Sequence, residues 1–263
     1  MVIGYLNLVI VWTLGYCFLS IMSSHPSLTI SQTQDLDQIL VSHLGLPVMV
    51  LMENAGRHAA ELARQMLGKS INNKKIIILC GTGNNAGDGM VAGRYLHNLG
   101  ANILVILTSD VTILKKEPKL QAEILAKMQV NIKTFGENNF ELIKKQLRTA
   151  DLIIDALLGF GSVGDPREPA KTLINLANQT QTKILAVDLP SGLNADTGIA
   201  GNPTIKANST ITLALPKVGL IKPEAHPWIG DLYVADIGVP RIAYEKLGID
   251  VGDWFRDKEI VKI

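Results

Sequence analysis

The chain has 263 residues, 47% of them hydrophobic, with 25 basic and 24 acidic side chains for a formal net charge of +1. That is enough apolar material for one large α/β domain with a substantial core, and so even a balance offers no general attraction to nucleic acid. With only Cys17 and Cys80, a disulfide framework and a cysteine-based zinc site are excluded, and a reducing compartment, the cytoplasm, is expected.

The first 34 residues carry no Lys, Arg, Asp or Glu. Residues 1–22 are long and apolar enough to span a bilayer, yet no basic residue flanks them to set an orientation or to begin a signal peptide. Three readings stay open: a membrane anchor, a signal, or an extension upstream of a start at Met22. The division is therefore 1–27 as an apolar extension, 28–250 as one domain and 251–263 as a tail without a partner element.

From residue 31 the pattern is helical. Ser31 is the expected cap of a short first helix that "GLP" at 45–47 ends, and a longer helix containing Gly56 is closed by Gly68. The chain then alternates. "KIIILC" (75–80), "ANILVILTS" (101–109), "VNIKTF" (130–135), "DLIIDAL" (151–157) and "KILAVDL" (183–189) are short Ile-, Val- and Leu-rich runs. Amphipathic segments separate them, and "STITLAL" (209–215) and "DLYVADIG" (231–238) extend the series at one edge. Continuous apolar strands alternating with such helices imply a three-layer α/β/α, Rossmann-like fold around a mostly parallel sheet.

In such a sheet, ligands bind outside the carboxyl ends of the strands. The first tip is "GTGNNAGDG" (81–89), the fourth is Asp155 followed by "LLGFGSVGD" (157–165), and the fifth is "DLPSG" (188–192). The glycines of the first tip fit part of a dinucleotide fingerprint. A dehydrogenase would also need an acidic residue for the ribose, and Asp110 lies 27 residues past Gly83, against about 20 expected. No Gly-Lys-Ser/Thr follows, so a P-loop is excluded.

Asp88, Asp155 and Asp188, with Asn84, Asn85 and Ser191 among them, point to one crevice. Converging carboxylates repel unless a cation joins them or a pKa rises, and an all-oxygen set suits a hard cation. One aspartate could then serve as general acid or base. Against this, each element alone has a plain turn or helix-cap explanation.

These tips, with "LMENAG" (51–56), "LALPKVGL" (213–220) and "GDLYVADIGVP" (230–240), resemble the NAD(P)H-hydrate epimerase family, also called the YjeF N-terminal domain, from about Leu28 to Asp250. The resemblance implies an isomerase that interconverts the R and S epimers of hydrated NADH and NADPH, often as a homodimer. A separate ADP- or ATP-dependent dehydratase would then restore the S epimer. It implies substrate contacts from Asn84, Asn85, Ala86, Gly87 and Asp88, from Gly159, Phe160, Gly161, Ser162, Val163, Gly164 and Asp165, and from Asp188. It also implies one potassium ion (K+) per subunit on Asn85, Asp155 and Ser191. Asp188 is expected to exchange the proton. Ala86 stands where the family usually has glycine, and Phe160 where a small polar residue is common. Glu53 and Asn54 are expected to pack their helix, and Lys217 and His226 are left without a role. The competing readings are a non-catalytic scaffold, as in decapping-enhancer relatives, and an NAD-dependent oxidoreductase.

Overall fold

Apolar runs of four to six residues form the sheet, and their alternation feeds two cores at once. The computed structural model describes residues 25–68 and 70–263, together with a two-residue ladder between β1 (Trp12–Thr13) and β2 (Tyr16–Cys17). The main sheet comprises β3 (Lys75–Cys80), β4 (Asn102–Leu107), β5 (Asn131–Thr134), β6 (Leu152–Ala156), β7 (Lys183–Val187), β8 (Ser209–Leu213), β9 (Asp231–Ala235) and β10 (Ile260–Lys262). On β3, Ile76, Ile78 and Cys80 face one core while Ile77 and Leu79 face the other, and none is exposed. A strand buried on both faces cannot alternate apolar with polar, which is why these runs are continuous.

The strand order is β10-β9-β8-β7-β6-β3-β4-β5, parallel from β5 to β9. From β3 the chain winds outward through β4 and β5, then returns to β6 on the other side of β3. Strands β3 and β6 thus flank the point where winding reverses, and a crevice opens beyond their carboxyl ends. The expected three layers are present. Helices α2 (Val48–Met66), α3 (Asn84–Asn98) and α4 (Lys116–Lys127) cover one face, and α5 (Phe140–Arg148) and α6 (Ala170–Asn178) the other.

Two local expectations are corrected. Helix α1 (Ile30–Gln38) is capped by Thr29, not Ser31. Thr29 Oγ1 accepts from Gln32 N, and Gln32 Oε1 accepts from Thr29 N, because a glutamine three residues on completes the reciprocal box. The tail does have a partner: β10 pairs antiparallel with β9, Ile260 opposite Ala235, and Arg57 holds Glu259 beside it. Three residues are too short a run to register as a strand in the sequence. Gly68 ends α2 as expected, at φ +79°. The expected span over residues 1–22 falls, apart from the short ladder, outside the described residues. Among those residues no helix is long and apolar enough to cross a membrane.

Helix α3 lies unusually close to its neighbours, and its glycines are the reason. A Cβ on Gly89 would sit 2.6 Å from Ala156 Cβ, and one on Gly56 of α2 would sit 2.4 Å from Val91 Cβ. Gly56→Ala should therefore destabilise the protein by about 1–3 kcal/mol through overpacking, read as a lower urea midpoint at unchanged slope.

Candidate active site

Helix α3 starts at the tip of β3 with Gly83 as its N-cap, so its first amides face the crevice. Asn85 is 8% exposed; its Nδ2 donates to Leu158 O at 3.1 Å, and its Oδ1 is buried with no donor. An acceptor in that state is costly unless something positive or a donor meets it. Ala86 and Gly87 are turned into packing. Ala86 is fully buried in the helical conformation and needs no positive φ, so its methyl is tolerated. Gly87 packs against Met52.

Across the switch point, Asp155 sits in β6 with zero exposure. Its Oδ1 accepts from Ser191 Oγ at 2.6 Å and Leu157 N at 3.2 Å, and its Oδ2 from Ser191 N at 2.8 Å. Ser191 Oγ also accepts from Leu158 N at 2.9 Å. Burial nevertheless pushes the Asp155 carboxyl up to about 6, the hydrogen bonds from Ser191 and Leu157 opposing it. Asn85, Asp155 and Ser191 thus meet around the backbone of Leu158. Among the described residues no three His, Cys, Asp or Glu side chains cluster as for zinc. An amide oxygen, a carboxylate and a hydroxyl are donors for a hard cation, and the orphaned Asn85 Oδ1 fits one.

Asp188 follows β7 at φ +68°, with Leu189 N donating back to Val187 O at 2.9 Å. This is a γ-turn of the rarer positive-φ kind. Its Oδ2 accepts from Phe160 N at 3.1 Å. Its Oδ1 takes a hydrogen bond of 2.5 Å from Lys217 Nζ, an ion pair whose side chains are 5% and 2% exposed. Lys217, left without a role by the sequence, is therefore part of the site. Its one signal was the motif "LALPKVGL", where a lysine follows an apolar strand and should otherwise have been solvated.

These groups border one cavity of about 590 Å³. Asn84, Asn85, Asp88, Gly159, Phe160, Gly161, Ser162 and Asp188 line it, with Lys115 and Lys217. Its opposite wall is apolar, from Leu36, Leu40, Leu51, Ile237 and Val239. Asp88 lies inside α3, 7% exposed, and no donor among the described residues reaches its carboxyl. Burial, reinforced by the charge of Asp188 and opposed by Lys217, holds that carboxyl well above the ordinary carboxylate range.

The expected set is not all gathered here. Asp155 and Ser191 lie behind the lining, Val163 is 81% exposed, and Gly164 and Asp165 border an adjoining hollow of about 310 Å³ that shares Leu158, Gly159 and Ser162 with the cavity. Asp165 Oδ1 is engaged by Asn202 N. Asp110, the ribose candidate of the oxidoreductase reading, instead caps a turn through Thr112 N and Oγ1. Glu53 and Asn54 are packing groups as expected, bound to Arg94, Tyr95 and Ile237 O.

Residues 48–219 match the family described as YjeF-related protein N-terminus. The chain belongs to that family. Its YjeF-type region is 38% identical over 214 residues to the bifunctional NAD(P)H-hydrate repair enzyme of Moorella thermoacetica, covering 81% of this chain and 40% of that relative. It is 33% identical over 215 residues to the NAD(P)H-hydrate epimerase of Rhodopirellula baltica, covering 82% of this chain and 85% of that one. The crystal structure of yeast YNL200c shares the fold, with a TM-score of 0.76 and 24% identity over 90% of this chain and 99% of the yeast one.

Within this YjeF-type site, Phe160 lines the cavity. Its ring centroid lies 5.7 Å from Lys217 Nζ and it packs against the cluster that contains Leu189 and Leu193, so it covers one side of the buried pair. Ser191→Ala should cost about 1–3 kcal/mol, since it strips a donor from Asp155 and an acceptor from Leu158 N in a dry place. Equilibrium urea unfolding measures it.

Proposed function

We propose that this chain is an NAD(P)H-hydrate epimerase, acting on NADH or NADPH that carries water across the C5–C6 bond of the nicotinamide ring. The single observation that supports it best is the Asp188 carboxylate, nearly buried at the wall of a cavity that also opens onto the first amides of α3. The naming of relatives that match most of this chain is consistent with it.

Helix amides and glycine backbone suit a pyrophosphate, and the apolar wall suits a planar ring. At that ring the C6–O bond breaks, the N1 lone pair forms a C=N bond to C6, and the departing oxygen takes a proton from the acid form of Asp188 to leave as water. Water then adds to the opposite face of C6 and returns a proton to the Asp188 carboxylate. Asp188 is the group we assign to that proton exchange. A potassium ion on Asn85, Asp155 and Ser191 would supply fixed positive charge behind the loop 158–162. The S epimer would pass to a dehydratase, and we place the reaction in the cytoplasm, in a homodimer.

Purified protein incubated with the R hydrate of NADH should speed the appearance of the S epimer. Unchanged spontaneous conversion would return the chain to the scaffold reading. Asp188→Asn should lower kcat by about 10²–10⁴-fold, the usual range for a proton-transfer group.

The ion has its own test. Burial pushes the folded Asp155 carboxyl up to about 6, against about 3.9 for an unperturbed aspartate. The folded state therefore holds the extra proton between those values, and stability falls as pH rises through that window. A bound cation offsets the loss. The difference in stability between potassium and choline buffers should be small near pH 4.5 and grow by up to about 3 kcal/mol at pH 7. Asp155→Asn should flatten it.

A further inference from the structure

We propose that Lys217 is a positioning residue that holds Asp188 by Oδ1 and presents it to the substrate through Oδ2 alone, an inference that rests on the epimerase reading. An ammonium has three donors. Lys217 Nζ directs them at Asp188 Oδ1, Leu213 O at 3.2 Å and Thr212 Oγ1 at 3.4 Å. With none left over and 2% of the side chain exposed, Lys217 is not built to grip a ligand, although its side chain borders the cavity.

The backbone arranges this meeting from both sides. Asp188 N donates to Ile211 O at 2.8 Å, which ties the tip of β7 to β8. At the tip of β8, Ala214 repeats the same turn at φ +65°, with Leu215 N donating to Leu213 O. Two adjacent strands therefore end in matching positive-φ turns. One presents the carboxylate and the other presents the carbonyl and hydroxyl that hold the lysine. The lysine's own backbone is pinned by Leu28, whose N donates to Pro216 O and whose O accepts from Val218 N, both at 2.9 Å.

Asp188 Oδ2 has a different environment. Phe160 N is its one protein donor among the described residues, and the remaining lone pairs are available to the cavity. The charges coupled to this region are Asp88 from α3, Asp37 from α1, Lys217 and Lys115. Without the lysine, Asp188 Oδ1 would have no protein donor among the described residues, and the carboxyl would no longer be held in this orientation.

The experiment is a kinetic cycle on the full chain with the R hydrate of NADH, using K217M, K217R, D188N and the K217M/D188N double variant. K217M should lose about 100-fold in kcat, the lower end for a disabled proton-transfer group, with KM within about threefold because no substrate contact is removed. K217R should recover part of that loss. The double variant should be no slower than D188N alone, since the lysine acts through the aspartate. Retained kcat in K217M, a rise in KM with kcat unchanged, or additive losses in the double variant would each overturn the assignment. Should K217M fail to fold, K217R gives the same division: a kcat fall at constant KM supports the role, and any other pattern rejects it. An active D188N, by contrast, overturns the proton-exchange reading itself.

Discussion

Negative charge gathered in a dry crevice is the constraint around which this molecule is organised. The parallel sheet and the helix that follows β3 bring Asp88 and Asp188 to one cavity, with Asp155 behind its lining, each 7% exposed or less, and buried carboxylates need compensation to stay ionised. The structure answers each differently. Asp188 receives an ammonium, Asp155 receives three hydrogen bonds from Ser191 and Leu157, and Asp88 receives no donor among the described residues. Asp188 is thus paired with a cation while burial raises the Asp88 carboxyl, and unlike environments of this kind characterise sites for proton transfer.

Close packing makes the gathering possible. Helix α3 can lie low on the sheet because Gly89 and Gly93 face Ala156 and Ile78, and it can meet α2 because Gly56 faces Val91. Gly81 similarly lets the turn after β3 pass the carbonyl of Leu157, which a Cβ would strike. The glycines of the first tip therefore serve a distance requirement on both sides of the crevice, since none of Gly81, Gly83, Gly87 and Gly89 has a positive φ. An alanine is admitted at position 86 because the backbone there is helical and its methyl joins the core.

The loop 158–162 joins these features. It takes Asn85 Nδ2 and Ser191 Oγ through Leu158, and Asp188 Oδ2 through Phe160 N. A change at any of the three strand tips is therefore felt at the others through one short piece of backbone. The ring of Phe160, over the lysine, keeps water from the ion pair and so strengthens it.

Much of this was determined by local pattern. Apolar runs buried on two faces specify parallel strands, intervening periodicity specifies covering helices, and the oxygen-bearing tips at Asn85, Asp155, Asp188 and Ser191 follow from strand ends alone. Position along the chain could not show that Gly159 and Ser162 border both hollows while Gly164 and Asp165 border only the smaller one. It also could not enlist Lys217, because an isolated lysine carries no periodic signal and its burial depends on acceptors from Thr212, Leu213 and Asp188. Nor could it find β10, whose three residues acquire meaning only from the edge of β9. Sequence sets what each segment prefers by itself; pairing of charges and closure of a cavity belong to segments far apart, and only packing brings those together.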